Sequence, residues 1–115
     1  MQALGMIEGY SFTTALVTAD FMAKAADVSI IAFDRNRPIR TDVPAPLVME
    51  VKIEGSSAAV KAAIEAGKAY AEGEGKYITS HVISLPDDQT EAMAYLNDIN
   101  RDKYNKKLGK RGFKR

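Results

Sequence analysis

Leu47-Val48-Met49-Glu50-Val51-Lys52-Ile53-Glu54 alternates, with every second residue apolar and, Val48 apart, polar side chains between them. Leu47, Met49, Val51 and Ile53 fall on one face, and Val48, Glu50, Lys52 and Glu54 on the other. A period of two marks a strand with one buried and one wet side, the habit of antiparallel sheets. Gly55-Ser56-Ser57 follows at once as turn and cap. Val60, Ala63, Ile64, Gly67 and Ala71 then recur at helical spacing, with Lys61–Glu65 and Lys68–Glu72 bracing the exposed side. Gly73 and Gly75 end this helix, because glycine accepts the left-handed C-cap geometry. Tyr77 to Leu85 reads as the strand that closes the unit.

The preceding residues repeat the same plan. Ala3 to Glu8 forms a strand, Gly9, Tyr10 and Ser11 break it, and the Ser11 hydroxyl is placed to cap a helix. Phe12, Ala15, Leu16, Ala19, Met22, Ala23 and Ala26 make the apolar stripe of that helix, with Asp20 and Lys24 four apart on another face. Asp27 closes it, and the β-branched run from Val28 to Phe33 is a second strand. Two strand–helix–strand halves predict an α+β fold: a ferredoxin-like, four-stranded antiparallel sheet with both helices on one face. Pro86-Asp87-Asp88 starts a shorter helix through Ala92, Tyr95, Leu96 and Ile99. Both main helices are crowded with alanine, so the core is thin, and burial of further surface between subunits would add to it.

Composition narrows the chemistry. The chain has 115 residues, no cysteine and a single histidine, His81. Thiolate zinc sites, iron–sulfur ligation through cysteine and thiol nucleophiles are therefore excluded, and no His-pair metal motif exists. We expect no cofactor and no catalytic residue: His81 reads as a structural residue of its strand, and Glu8 and Glu54 as strand-end carboxylates rather than an acid–base pair. The glycines form no phosphate-binding loop. No apolar run reaches the length of a membrane span and no charged-then-apolar leader opens the chain, so a cytoplasmic protein is expected. Residues 101–115 hold eight basic side chains against Asp102, a charge of +7, whereas the hundred residues before them carry eight basic and fourteen acidic side chains, −6. That basic tail, with Tyr104 and Phe113 among its charges, is expected to be a mobile end, with nucleic acid, an anionic surface, cargo or a neighbouring subunit as the alternative partners.

Between the two halves lies the anomalous stretch Asp34-Arg35-Asn36-Arg37-Pro38-Ile39-Arg40-Thr41-Asp42-Val43-Pro44-Ala45-Pro46. Three prolines remove backbone donors and favour extended geometry, so it reads as a long loop. Loops of this length in a small domain are often functional.

Four collinear blocks resemble bacterial microcompartment shell proteins: Ala3-Leu4-Gly5-Met6-Ile7-Glu8; Ala19 through Val28, with Asp20-Phe21-Met22-Ala23-Lys24; Gly55-Ser56-Ser57 through Ala66-Gly67; and Ser80-His81-Val82-Ile83. They cover the chain from Ala3 to Pro86 apart from the arginine-rich loop. The resemblance implies a shell domain over residues 1–86, followed by a helix over 87–100 and the tail. It implies a non-enzymatic subunit that closes into a flat cyclic homohexamer and tiles with other shell proteins around encapsulated enzymes. A pore on the six-fold axis would pass metabolites, and the Asp34–Pro46 segment corresponds by position to the family's pore loop.

In relatives of one kind that loop holds a cysteine for an iron–sulfur cluster, whereas Pro44-Ala45-Pro46 offers only alanine. Lys24 matches the family's lysine at the hexamer edge. Asp27 stands where many members have asparagine, and Leu85 where many have an arginine that inserts across the edge; leucine makes no such charge-assisted hydrogen bond. The competing expectation from another class is a small ferredoxin-like regulatory domain that binds an anionic metabolite through the arginine loop.

Overall fold

A computed structural model describes residues 2–36, 47–96 and 98–99. The expected loop over 37–46 and the basic tail over 101–115 lie outside the described residues. The elements run β1 (Ala3–Tyr10), α1 (Phe12–Ala25), β2 (Val28–Asn36), β3 (Val48–Gly55), α2 (Ser57–Gly73), β4 (Tyr77–Ile83) and α3 (Asp88–Leu96). The four strands form one antiparallel sheet in the order β2-β3-β1-β4. The ferredoxin-like arrangement read from the sequence is the observed one.

The alternation of β3 decides which side of the sheet each layer covers. Met49, Val51 and Ile53 join Ala3 and Ile7 of β1 against Ala15, Ala19 and Met22 of α1 and Val60, Ala63 and Ile64 of α2. The α2 stripe is the one expected, Val60, Ala63, Ile64, Gly67 and Ala71. The α1 stripe is not. Its buried residues are Thr14, Ala15, Thr18, Ala19 and Met22, while Phe12 and Leu16 keep 41% and 49% of their surface exposed and Ala23 is exposed too. The cause lies in the contact between the two helices. A Cβ on Gly67 would sit 2.9 Å from Met22 Cγ and 3.0 Å from Thr18 Cγ2, so the backbones meet through the smallest side chains. Bulky Phe12 and Leu16 cannot enter so narrow a seam, and α1 turns them outward. Phe12 instead meets Phe33 edge-on, with ring centroids 6.2 Å apart.

The other face of the sheet departs further from expectation. It reads as wet, yet Val48 and Lys52 are buried and Glu50 and Glu54 half-buried. The reason is α3, which begins after an Asp87 cap (Thr90 N–H to Asp87 Oδ1, 2.8 Å) and lies across this face. Lys52 Nζ donates to the Ala94 carbonyl at 3.2 Å, and the Tyr95 hydroxyl donates to Glu54 Oε1 at 2.5 Å. Beyond the helix, Asp98 Oδ1 accepts from the Phe33 amide at 3.0 Å, and Ile99 packs against the core. Strand β2 is an edge strand, and this passage of chain takes one of its outward donors.

Ser11 joins β1 to α1. Its hydroxyl accepts from the Thr14 amide at 3.2 Å as expected, but its backbone sits at φ 74, ψ 149, a region that L-residues other than glycine rarely occupy. Cap and strain oppose each other here. Ser11→Gly keeps most of the capping propensity and removes the strain, so it should stabilise the fold by about 1 kcal/mol. Ser11→Ala keeps the strain and loses the cap, and should destabilise it by about 1 kcal/mol. Urea unfolding midpoints separate the two, and equal midpoints would mean that Ser11 carries no strain.

Candidate pore loop, assembly edge and charged face

The pairing register fixes where the sequence-derived residues lie. Val28 of β2 pairs with Gly55 of β3, Gly55 with Ala3 of β1, and Leu4 with Ile83 of β4. Asp27, just before Val28, and Leu85, two residues after Ile83, therefore lie at the same end of the sheet. Lys24 lies in the last turn of α1, which leads into Asp27. All three are exposed, Leu85 to 75%. Lys24 is held by Asp20 Oδ2 at 2.7 Å, a pair within one helix turn that leaves 76% of the lysine side chain accessible. Asn36 pairs with Val48 and Val48 with Tyr10, so both roots of the arginine-rich loop are at the opposite end. Eight-residue strands separate the two ends by about 27 Å.

The loop is shorter than its composition suggests. Asp34, Arg35 and Asn36 are not loop but the last residues of β2, paired with Glu50, Met49 and Val48 of β3. Ladder pairing with β3 overrides their polar character. By alternation Arg35 falls on the side of Met49, toward α1 and α2, while Asp34 falls on the side of α3, with Oδ2 3.8 Å from Lys52 Nζ. Residues Arg37, Pro38, Ile39, Arg40, Thr41, Asp42, Val43, Pro44, Ala45 and Pro46 make up the remainder.

A second grouping was not singled out from the sequence. Glu8 of β1 lies opposite Glu50 of β3, and Glu50 opposite Asp34 of β2, so three carboxylates form one row across the sheet. Lys52 occupies the next row on the same face, with Nζ 3.8 Å from both Asp34 and Glu50. Burial pushes the Glu50 carboxyl above its ordinary range; Lys52 pulls it back, and Glu8 and Asp34 push it further up. The signal was present in Glu50 and Lys52, but a strand pattern alone does not show that a later helix will cover its polar side. Among the described residues no group of three or more histidine, aspartate or glutamate side chains is arranged to hold a metal ion. His81 is exposed on β4, opposite Met6, and Glu54 is engaged by Tyr95. No helix among the described residues is long and apolar enough to cross a membrane.

This fold is matched by known proteins. The BMC domain family matches residues 3–86, and the chain belongs to that family of bacterial microcompartment shell domains. It is similar to the bacterial microcompartment shell protein PduA of Citrobacter freundii, with 34% identity over 90 residues, 78% of this chain and 88% of that protein. A carboxysome shell protein of Halothece sp. is 31% identical over 102 residues, covering 84% of this chain and 92% of its own length. The crystal structure of a microcompartments protein from Desulfitobacterium hafniense DCB superposes with a TM-score of 0.65 at 28% identity, over 78% of this chain and 47% of that one.

Lys52→Met should expose the cost of the carboxylate row. Removing the ammonium leaves Glu50 and Asp34 without this counter-charge, and the expected loss is about 3 kcal/mol near neutral pH. The loss should shrink in acid as Glu50, raised by burial, takes up a proton. Denaturant titrations of both proteins across pH read this directly.

Proposed function

We propose that the chain is a structural shell subunit that closes into a cyclic homohexamer, tiles with other shell subunits around encapsulated enzymes, and passes small anions through an axial pore. One observation carries this reading: the strand register puts both roots of the 37–46 loop at one end of the subunit and Lys24, Asp27 and Leu85 at the other. A ring needs that polarity, because one end of each subunit must face the axis and the other its neighbours in the layer. Head-to-tail contacts whose rotation closes generate such rings. Phe12 and Leu16, turned out of the core, supply apolar surface for contacts of this kind. The kinship with shell proteins supports the same role and the same setting, a shell within the bacterial cytoplasm, and supports a structural rather than an enzymatic part.

Arg37 and Arg40 against Asp42 give the loop its charge. Six copies bring twelve arginines and six aspartates to the axis. Removing Asp34 and Arg35 to β2 leaves that excess unchanged, because their charges cancel. A ring of positive charge favours anions and disfavours cations. Lys24 serves at the tiling edge. Leu85, lacking an arginine's donors, makes this edge apolar, so co-assembly with other shell subunits complements tiling by this chain alone.

The mass of the purified particle tests the ring: six times the 12.5 kDa chain is expected, whereas a dimer or trimer that binds one anionic metabolite per chain would favour the regulatory reading. Permeation tests the pore. Arg37→Ser combined with Arg40→Ser should reduce anion entry into assembled shells relative to cation entry. Unchanged selectivity would remove the arginines from the account.

A further inference from the structure

The device that holds α3 to the sheet is independent of the shell reading. Lys52 is only 4% exposed, and its ammonium has competing acceptors within reach. It donates to the Ala94 carbonyl, one of the last four of α3, which lack partners inside the helix. Asp34 and Glu50 each stand 3.8 Å away, beyond hydrogen-bond distance but close enough to attract it. A cation on a helix C-terminus is favourable, and here it ties the helix to the sheet as well.

We propose that α3 is a proton-responsive latch, in which a protonated Glu50 leaves Lys52 on the Ala94 carbonyl and holds the helix down, and an ionised Glu50 draws Lys52 away and lets it lift. The groups around Glu50 oppose one another, Lys52 favouring its ionised form and Glu8 and Asp34 its protonated form. Glu8, with Tyr10 one pleat beyond it, faces it from β1, Asp34 from β2 and Lys52 from its own strand. On β4, Thr79 continues the carboxylate row and His81 lies in the row of Lys52, across Met6. Glu91 and Tyr95 belong to α3, and Asp98 follows it. Arg35 is on the opposite side of β2 by register. Among the described residues the row of Glu8, Glu50 and Asp34 stands beside the buried Lys52 ammonium, and a proton on Glu50 reduces the repulsion within that row.

Linkage gives the direction. Burial is the first cause that raises the Glu50 pKa above its ordinary 4.5, and α3 lies on the buried face, so in this latch docking is linked to proton uptake. The latch is fully closed below that ordinary value and loosens as pH rises through the raised one. Release has a consequence near the loop. Asp98, which follows α3, accepts from the Phe33 amide of β2, four residues before Arg37, so lifting the helix frees that edge donor while β2 stays paired with β3.

Amide hydrogen exchange of the full chain tests the latch, with α2 as internal reference for protection. From mildly acidic to mildly alkaline pH, and after correction for intrinsic exchange, protection of residues 88–96 should fall severalfold relative to residues 57–73. Glu50→Gln should hold α3 at its acidic level of protection at both pH values. Glu8→Gln, which removes one neighbour that raises Glu50, should shrink the fall. A wild-type ratio that does not change with pH, or a fall of the same size in Glu50→Gln and Glu8→Gln, would overturn the proposal.

Discussion

The structure depends on β3 being paired on both edges and covered on both faces. Its partners β1 and β2 run antiparallel to it, and their registers set the ends of the sheet. A shift of one residue would send Met49, Val51 and Ile53 to the side of α3 and turn Glu50 and Lys52 into the α1–α2 core. The alternating run at Val48–Gly55 thus fixes the depth of the core and the orientation of the charged face together. The placement of Asn36 and Val48 at one end of the sheet, and of Asp27 and Leu85 at the other, follows from that register.

The two faces of β3 solve the burial problem differently. Toward α1 and α2 the solution is smallness: alanines, Thr18 and Gly67 let backbones approach, and Met22 fills the space that remains. Toward α3 the solution is polar pairing. A buried lysine is tolerated because it reaches a helix-end carbonyl and lies between carboxylates, and Glu54 is satisfied by a tyrosine hydroxyl. The first face resists change in volume. The second resists change in charge, and is therefore the one that can respond to solution conditions.

Strands, α2 and the topology were legible in the sequence because each rests on a local period that burial merely confirms. Three features were not, and each for a tertiary reason. The α1 stripe was misplaced because apolar character alone cannot tell Phe12 and Leu16, which face outward, from Ala15 and Ala19, which fit the seam against Gly67. The polar face of β3 read as wet because the helix that covers it lies forty residues further along. Asp34, Arg35 and Asn36 read as loop because polar residues beside prolines give no sign of the ladder partners Glu50, Met49 and Val48. Lys24, Asp27 and Leu85 were named through the family resemblance, and they lie at the end of the sheet opposite Asn36 and Val48.

Charge that is scattered along the sequence is gathered by the fold. The chain leaves β2 at Asn36 into the arginine-rich segment, and it returns at Asp98 to the Phe33 amide of the same strand before running into the basic tail. Phe33 and Asn36 are three residues apart, about 10 Å along a strand. The carboxylate row of Asp34, Glu50 and Glu8 crosses the sheet from that strand through β3 to β1. In a ring, that edge would repeat at every subunit. The acidic character of the body deduced from composition is thus concentrated locally, in a row of carboxylates on one sheet face with Lys52 in the next row and α3 lying across it.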